Sequence, residues 1–200
     1  MLTYLSSDRK DFKSDLFSRE GALSLMGAYL KKDNLQKHSL ATEAIMRALA
    51  EKLGYNADAW GIAGLLHDLD YEETKDTPSR HALETANILE EKGIDHEIIQ
   101  AIKAHNGDAL GIQRETDFDF ALTCAECITG LIVATTLVYP DKKITSVKTK
   151  SILKRMKQRE FARGVDRKLI RECEKLNIPL EEFAELSLKA MQGIDKELGL

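Results

Sequence analysis

The chain of 200 residues carries a net charge of −4, and its 43% hydrophobic and 31% charged residues are typical of one globular domain with a modest appendage. Three cysteines give no disulfide framework, and the first residues, MLTYLSSDRKDF, lack the pattern of a secretory signal, so we expect a cytoplasmic protein. The longest apolar stretch, residues 128–139, is about half the ~20 residues that a bilayer span requires, which predicts a core helix and no membrane contact.

The first predicted elements have the spacing of amphipathic helices. Residues 8–30 are interpreted as one or two short helices. A longer helix is predicted over residues 38–53, because apolar side chains recur there at steps of three and four, and Gly54 can end it. Asn56 can cap the next helix, which runs to His67.

A polar loop and two more helices are predicted next. Residues 71–78 are polar and include a proline, which breaks the helical pattern. Ser79 is the expected cap of a helix over residues 80–92. Asp95 is the expected cap of a helix that ends just beyond His105.

The second half of the chain continues the helical pattern. Asp117 or Asp119 is expected to open a long apolar helix, which Pro140 closes. Three further helices are predicted at roughly residues 145–158, 166–176 and 180–198. No alternation of period two is long enough to indicate a strand, so the fold class is all-α.

Residues 142–171 are strongly basic, with twelve lysines and arginines against two acidic residues. Such a segment is either a surface for an anionic ligand, such as a phosphate, a nucleotide or a nucleic acid, or a solvated helix docked on an acidic body. The sequence leaves both interpretations open.

Four of the five histidines fall on the inward faces of predicted helices, namely His38, His67, His81 and His105. A lone inward histidine is more often a core residue with a hydrogen-bond partner than a ligand. Four of them, with the carboxylates of Asp68 and Glu126, favour a divalent metal, because unpaired burial of so many polar groups is costly. Imidazole and carboxylate ligands suit Mn, Fe, Co, Ni or Zn.

The adjacent pair His67 and Asp68 constrains the geometry of such a site. Neighbouring residues project about 100° apart on a helix, so both can bind one ion only near the helix end. Ala63 and Gly64, one turn earlier, are small enough to let another helix approach closely.

The order His38, His67-Asp68, His81, His105, Glu126, with the strings LLHDLDYE, IKAHN and ECITGLIVA, resembles the HD-domain superfamily of metal-dependent phosphohydrolases. It looks most like the small HDIG-type predicted hydrolases. The resemblance implies one HD-type domain over residues 1–200, a helical bundle with its core at about residues 30–140. A C-terminal helical extension at about residues 141–200 would pack on that core.

The resemblance also implies a metal cofactor of one or two divalent ions, chosen from Mn, Fe, Co, Ni, Zn and Mg. The first metal would be held by His38, His67, Asp68 and Glu126, and the second by Asp68, His81 and His105. Glu126 departs from the family, which usually has aspartate here. Asp119, on the same helical face, is the alternative ligand.

The activity that the resemblance implies is hydrolysis of a small phosphorylated substrate, a nucleotide or phosphomonoester, by a metal-activated water. No G-x-S-x-G elbow or P-loop indicates another route. The candidate catalytic residues are Asp68, Asp70 and Lys75. The candidate substrate-binding residues are Arg80, Lys103, Lys148, Lys150 and Arg163.

Other functions are weighed against this one. A catalytically weak HD domain that senses a nucleotide or another ligand is motivated by the departure at Glu126. Nucleic-acid binding through residues 142–171 is disfavoured, because Phe161 is the only aromatic residue there. Cys124 and Cys127 are interpreted as small core residues rather than half a zinc site. The substrate, the native metal and the oligomeric state, including a homodimer, are left open.

Overall fold

The computed structural model describes residues 18–200, and every regular element in this part of the chain is a helix. The prediction of an all-α fold is confirmed. The α-helices are α1 (Arg19–Tyr29), α2 (Asp33–Leu53), α3 (Ala57–Leu66), α4 (Tyr71–Thr74), α5 (Leu83–Glu91), α6 (His96–His105), α7 (Gly107–Leu110), α8 (Asp117–Leu137), α9 (Thr149–Met156), α10 (Arg167–Ile170), α11 (Leu180–Gln192) and α12 (Asp195–Leu198). Short 3₁₀-helices lie at Ile144–Ser146 and Arg171–Leu176. The part of the predicted N-terminal helix before residue 18 lies outside the described residues.

Two helix ends are as the sequence predicts. Gly54 ends α2 with a φ of 80°, a left-handed conformation that glycine adopts without strain. Asn56 caps α3, because its side-chain oxygen accepts the N–H groups of Asp58 and Ala59 at 2.9 and 3.2 Å. Both signals are local in sequence, which explains why they could be found there.

Other boundaries differ from the prediction. The helix expected from residue 80 begins only at Leu83, since residues 79–82 form a turn in which Ala82 has a φ of 71°. Thr116 is the cap of α8, with its hydroxyl accepting the N–H of Asp119 and the Asp119 carboxylate accepting the N–H of Thr116. Asp119 is therefore committed to a capping box and is not the alternative metal ligand.

Local breaks explain the remaining differences. Part of the predicted 71–78 loop forms α4. The helix predicted over residues 180–198 is interrupted at Gly193 and continues as α12. Residues 166–176 form α10 and then a 3₁₀-helix instead of one α-helix.

Helix α8 is the centre of the core. It packs against α2, α3 and α6 on the N-terminal side and against α9, α10 and α11 from the C-terminal part of the chain. Leu122, Ile128, Leu131 and Ile132 of α8 are fully buried. By length and composition α8 could cross a bilayer, with a mean hydropathy of 1.7 over its most apolar 18 residues, but 61% of that window is buried within the fold. This burial is what a core helix requires.

The C-terminal helices lie on the N-terminal bundle, because α11 contacts both α2 and α8. Trp60 of α3 is 4% exposed and stacks between the rings of Tyr55 and Phe118, at centroid distances of 4.9 and 5.1 Å. Trp60 is a packing residue. Cys124 and Cys127 are buried in α8 as free thiols, consistent with their interpretation as core residues.

Candidate metal centre

Asp68 lies at the centre of the candidate site, two residues beyond the end of α3. Its Oδ2 is 3.5 Å from Nε2 of His67 and 3.8 Å from Nε2 of His38. Its Oδ1 is 3.3 Å from Nε2 of His81 and 3.7 Å from Nε2 of His105. The two carboxylate oxygens therefore face two different pairs of histidines.

Four separate elements bring these residues together. His38 comes from α2, His67 and Asp68 follow α3, His81 lies in the turn before α5, and His105 is the last residue of α6. Because α3 ends at Leu66, His67 and Asp68 can both turn toward one centre, as the sequence predicts.

The second ring nitrogen of each histidine is bound to the protein. Nδ1 of His67 donates to the carbonyl oxygen of Gly64 at 2.9 Å, and Nδ1 of His105 donates to that of Ile102. Nδ1 of His81 lies 2.7 Å from the carboxylate of Asp70. Since carbonyls and carboxylates only accept, the Nδ1 atoms carry the protons.

His38 is held in the same way through Thr129. The Thr129 hydroxyl donates to the carbonyl of Glu126 at 2.6 Å, so its only proton is used there. Nδ1 of His38, 2.9 Å from the same hydroxyl, must therefore donate to it. In the neutral form of each ring, all four Nε2 atoms carry a lone pair directed to the centre.

These lone pairs face one another in two close contacts. Nε2 of His38 is 3.2 Å from Nε2 of His67, and Nε2 of His81 is 3.1 Å from Nε2 of His105. Two acceptors at this distance need a proton or a cation between them. Burial, together with the neighbouring imidazoles, lowers the pKa of His38 to about 4 and that of His105 to about 3, so a proton is disfavoured on either ring.

The remaining charges in the centre also suit a cation. Burial alone would raise the pKa of Asp68, but the four imidazoles around it outweigh this effect and lower the pKa to about 2. Burial lowers the pKa of His81, yet its hydrogen bond to Asp70 and the charge of Asp68 leave it raised, so a proton competes with a metal for Nε2 of this ring. An ionised carboxylate surrounded by imidazole lone pairs is a donor set that fits a divalent transition metal.

Two groups of potential ligands meet the distance requirement for one ion each, among the described residues. The ligand atoms lie within 4.8 Å of one another in each group, and Asp68 belongs to both. The first group, which we call group A, is His38, His67 and Asp68. The second, group B, is Asp68, His81 and His105. These are the two sets that the family resemblance implies, apart from Glu126.

Glu126 reaches the same cavity from α8 but lies outside both groups. Its carboxylate accepts a hydrogen bond from the thiol of Cys127 at 2.9 Å. Burial, reinforced by the charge of Asp68, raises the pKa of Glu126 to about 7. Its place as a ligand of the first metal stays a prediction.

The candidate catalytic residues Asp70 and Lys75 do not line the cavity. Asp70 is 3% exposed, and its carboxylate accepts the N–H of Thr85 at 3.0 Å in addition to the contact with His81. It orients the His81 ring rather than facing a substrate. Lys75 lies exposed at the end of α4.

The predicted substrate-binding cations also lie outside the cavity wall, and these are Arg80, Lys103, Lys148, Lys150 and Arg163. Arg80 forms an ion pair with Glu84 at 3.0 Å, and Arg163 pairs with Glu160. Lys37, next to His38 in sequence, is the cation that lines the cavity in the described part of the chain. Its position next to the candidate metal ligand His38 is the sequence signal that could have identified Lys37 as a lining residue.

Asn106 is a second residue that sequence reasoning missed. Its side-chain NH₂ donates to the carbonyl oxygens of Pro78 and His81, at 2.8 and 2.9 Å. It thereby ties the turn that carries His81 to the end of the helix that carries His105. Its position directly after His105 is the only local signal in the sequence.

The candidate metal centre opens into a cavity of about 890 Å³. Residues from α2, α8, α10 and the end of the chain form its wall, and His38, Asp68, His81 and His105 all contribute to it. A small molecule can therefore reach the candidate ligands.

Comparison with known proteins places these residues in a family. The HD-domain family model matches residues 35–126. The chain is 29% identical over 116 residues to Ribonuclease Y 2 of Levilactobacillus brevis, which covers 58% of this chain and 21% of the relative. It is 36% identical over 75 residues to Ribonuclease Y of Nitratidesulfovibrio vulgaris, strain DP4. This match covers 38% of this chain and 14% of the relative. No solved structure matches significantly.

The chain spans about a fifth, or less, of the length of these relatives. The matched residues 35–126 contain all six metal-ligand candidates, from His38 to Glu126. The ordered histidines and the His67-Asp68 pair at a helix end lie inside this match, and the chain carries an HD-domain match over residues 35–126.

Proposed function

We propose that this protein is a metal-dependent phosphohydrolase that acts on a small phosphorylated substrate. HD domains form a superfamily of metal-dependent phosphohydrolases, which supports the reaction class. The observation that carries the proposal is the convergence of four Nε2 lone pairs on the two oxygens of Asp68.

The residues of groups A and B would hold one divalent ion each, with Asp68 shared between them. When bound, such ions neutralise phosphoryl oxygens and acidify a water molecule, so that it can attack phosphorus. The protein's own contribution is preorganisation. The Nδ1 hydrogen bonds fix the four rings, so little rearrangement is needed when a phosphate arrives.

A second candidate is hydrolysis of a phosphodiester in RNA. Its support is the name Ribonuclease Y, carried by relatives that match parts of this chain. The same donor set would serve a monoester or a diester, because both reactions require charge neutralisation at phosphorus. A comparison of turnover between phosphomonoesters and RNA is therefore needed to distinguish the two candidates.

The test begins with protein purified without chelator, whose metal content is measured by elemental analysis. Phosphate release is then followed over a panel of phosphomonoesters, nucleotides and a short RNA, with each candidate metal in turn. We expect turnover that chelator abolishes and metal restores. Turnover that resists the chelator, or binding of ligands without any turnover, contradicts the proposal; the latter result would indicate a ligand sensor.

Two matched pairs of variants locate the activity. His67→Ala is expected to abolish turnover, whereas His96→Ala, which alters an exposed histidine at the start of α6, should leave it unchanged. Asp68→Asn is compared in the same way with Asp76→Asn, an exposed carboxylate in the following loop. Equal activity within either pair would place the reaction elsewhere.

A further inference from the structure

We propose that the substrate is a phosphate monoester whose carbon part is uncharged and largely apolar, and that this part lies along the face of α8 formed by Val133, Ala134 and Leu137. The inference rests on the proposed function, because it takes the metal centre as the place where the phosphate binds. It concerns the wall of the cavity beyond that centre.

The cavity follows one face of α8. Its lining residues on this helix are Glu126, Thr129, Gly130, Val133, Ala134 and Leu137, whose spacing of three and four residues puts them on one side. At about 1.5 Å per residue, this face extends roughly 16 Å from Glu126 to Leu137. The end at Glu126 is polar and adjoins the metal centre, and the far end is apolar.

Other apolar residues line the same cavity: Leu35, Ala109, Leu169 and Leu200 are partly or fully exposed, and Ala41 and Leu198 are buried. Leu137 is 50% exposed, although it is a large apolar residue at the end of a helix that is mostly buried. An apolar wall that stays in contact with water gains free energy when an apolar ligand covers it.

The charges on the wall argue against a polyanionic substrate. Outside groups A and B, the charged lining residues are Asp33, Lys37, Asp108 and Glu126. The ammonium of Lys37 is 2.8 Å from the carboxylate of Asp33, so it is already paired. In the described part of the chain, no other cation lines the cavity. Asp33 is paired with Lys37 and Asp108 with Arg114, so a second phosphate would find no unpaired cation among the described residues of this wall, which disfavours nucleoside triphosphates and an RNA backbone.

The first test measures binding alone. Ethyl-, butyl-, hexyl- and octylphosphonate, whose carbon–phosphorus bond is not an ester, are titrated calorimetrically into the protein loaded with Mn²⁺. We expect Kd to fall roughly fourfold for each methylene that the apolar wall covers. A Kd that does not depend on chain length would overturn the inference.

A matched pair of variants locates the tail. Val133→Thr places a hydroxyl on the cavity wall, whereas Val138→Thr makes the same change at a 54% exposed residue that does not line the cavity. We expect Val133→Thr to weaken octylphosphonate binding several-fold and to leave ethylphosphonate unchanged, while Val138→Thr alters neither. Equal losses for both phosphonates, or in both variants, would contradict the assignment.

Turnover gives the third readout. Phenyl phosphate is expected to be hydrolysed with a kcat/KM roughly tenfold or more above that of glycerol phosphate or a nucleoside triphosphate. A higher kcat/KM for glycerol phosphate or for the nucleoside triphosphate would overturn the inference, but the proposed function as a phosphohydrolase would stand. Absence of phosphate release from every ester would overturn the proposed function, and the phosphonate titration would then decide the inference by itself.

Discussion

Gly64 lies against the backbone of Glu43 so closely that a Cβ at Gly64 would be 2.8 Å from both the Cα and the amide nitrogen of Glu43. Backbone atoms cannot rotate away, so only glycine fits here. This close approach of α3 to α2 places His67 beside His38, with the two Nε2 atoms 3.2 Å apart. A missing side chain thus sets the geometry of group A.

The variant Gly64→Ala is expected to lower the free energy of unfolding by about 1–3 kcal/mol, because the added methyl group separates the two helices. It should also weaken metal binding at group A more than at group B. Urea denaturation measures the first effect, and metal titration measures the second.

Gly27→Ala is the matched control, because a Cβ at Gly27 meets nothing within 4 Å. There we expect no loss, or a gain of up to about 1 kcal/mol from the higher helix propensity of alanine. If the two alanine variants behave alike, the close approach at Gly64 has no energetic consequence.

The shared carboxylate of Asp68 gives a second prediction. Asp68→Asn removes the charge from both groups, so it should reduce the bound metal to near zero. His38→Ala alters only group A, and His81→Ala alters only group B, so each should leave one site intact. Elemental analysis of the purified variants measures the stoichiometry. Retention of full metal content by Asp68→Asn would mean that the carboxylate does not join the two groups.

The sequence was sufficient for the features that depend on local pattern. Helical periodicity predicted the all-α fold, and the caps at Gly54 and Asn56 follow from the preferences of those residue types. The four histidines surround Asp68, where inward helix faces were predicted for them, although His81 lies in the turn before α5 and not on a helix.

Contacts between distant segments could not be predicted. Thr129 holds His38 across 91 positions of the chain, and no pattern near either residue indicates this. Asp70 is close to the centre in sequence, but only the structure shows that its carboxylate turns away to Thr85 and His81. The charge of residues 142–171 is evident from the sequence, whereas its position relative to the cavity depends on how α9 and α10 pack.

A third prediction concerns pH. The Glu72 carboxylate accepts the backbone N–H groups of Lys32 and Lys31, at 2.9 and 2.7 Å, and these bonds lower its pKa. A carboxyl group with a lowered pKa in the folded state stabilises the fold above its unfolded pKa, and this contribution is lost as pH falls through the folded value. Glu72→Ala should therefore lower the melting temperature at neutral pH and have little effect at acidic pH.

Glu73→Ala, at the exposed neighbouring position in α4, provides the comparison and should change the melting temperature little at either pH. If Glu72→Ala lowers the melting temperature by the same amount at acidic pH as at neutral pH, the charge of the carboxylate is not the cause of the stabilisation.

The last prediction concerns Asn106 as a positioning residue for group B. Its amide binds the carbonyl oxygens of Pro78 and His81, so it holds the His81 turn against the end of α6. Asn106→Ala should release this turn and weaken metal binding at group B roughly 10- to 100-fold, the range typical of residues that orient metal ligands. Group A should keep its affinity, because Nδ1 of His38 and Nδ1 of His67 are bound elsewhere.

A purely structural role would predict a different result, because loss of global stability weakens both groups together. Metal titration that resolves two affinities is therefore combined with urea denaturation of the same variant. Asn87→Ala, an exposed position on α5, controls for the loss of an amide from the surface. If Asn106→Ala weakens metal binding equally at both groups, or has the same metal affinities as Asn87→Ala, the amide does not position His81. A loss of metal affinity at group B alone shows that it does, since only that group contains His81 and His105.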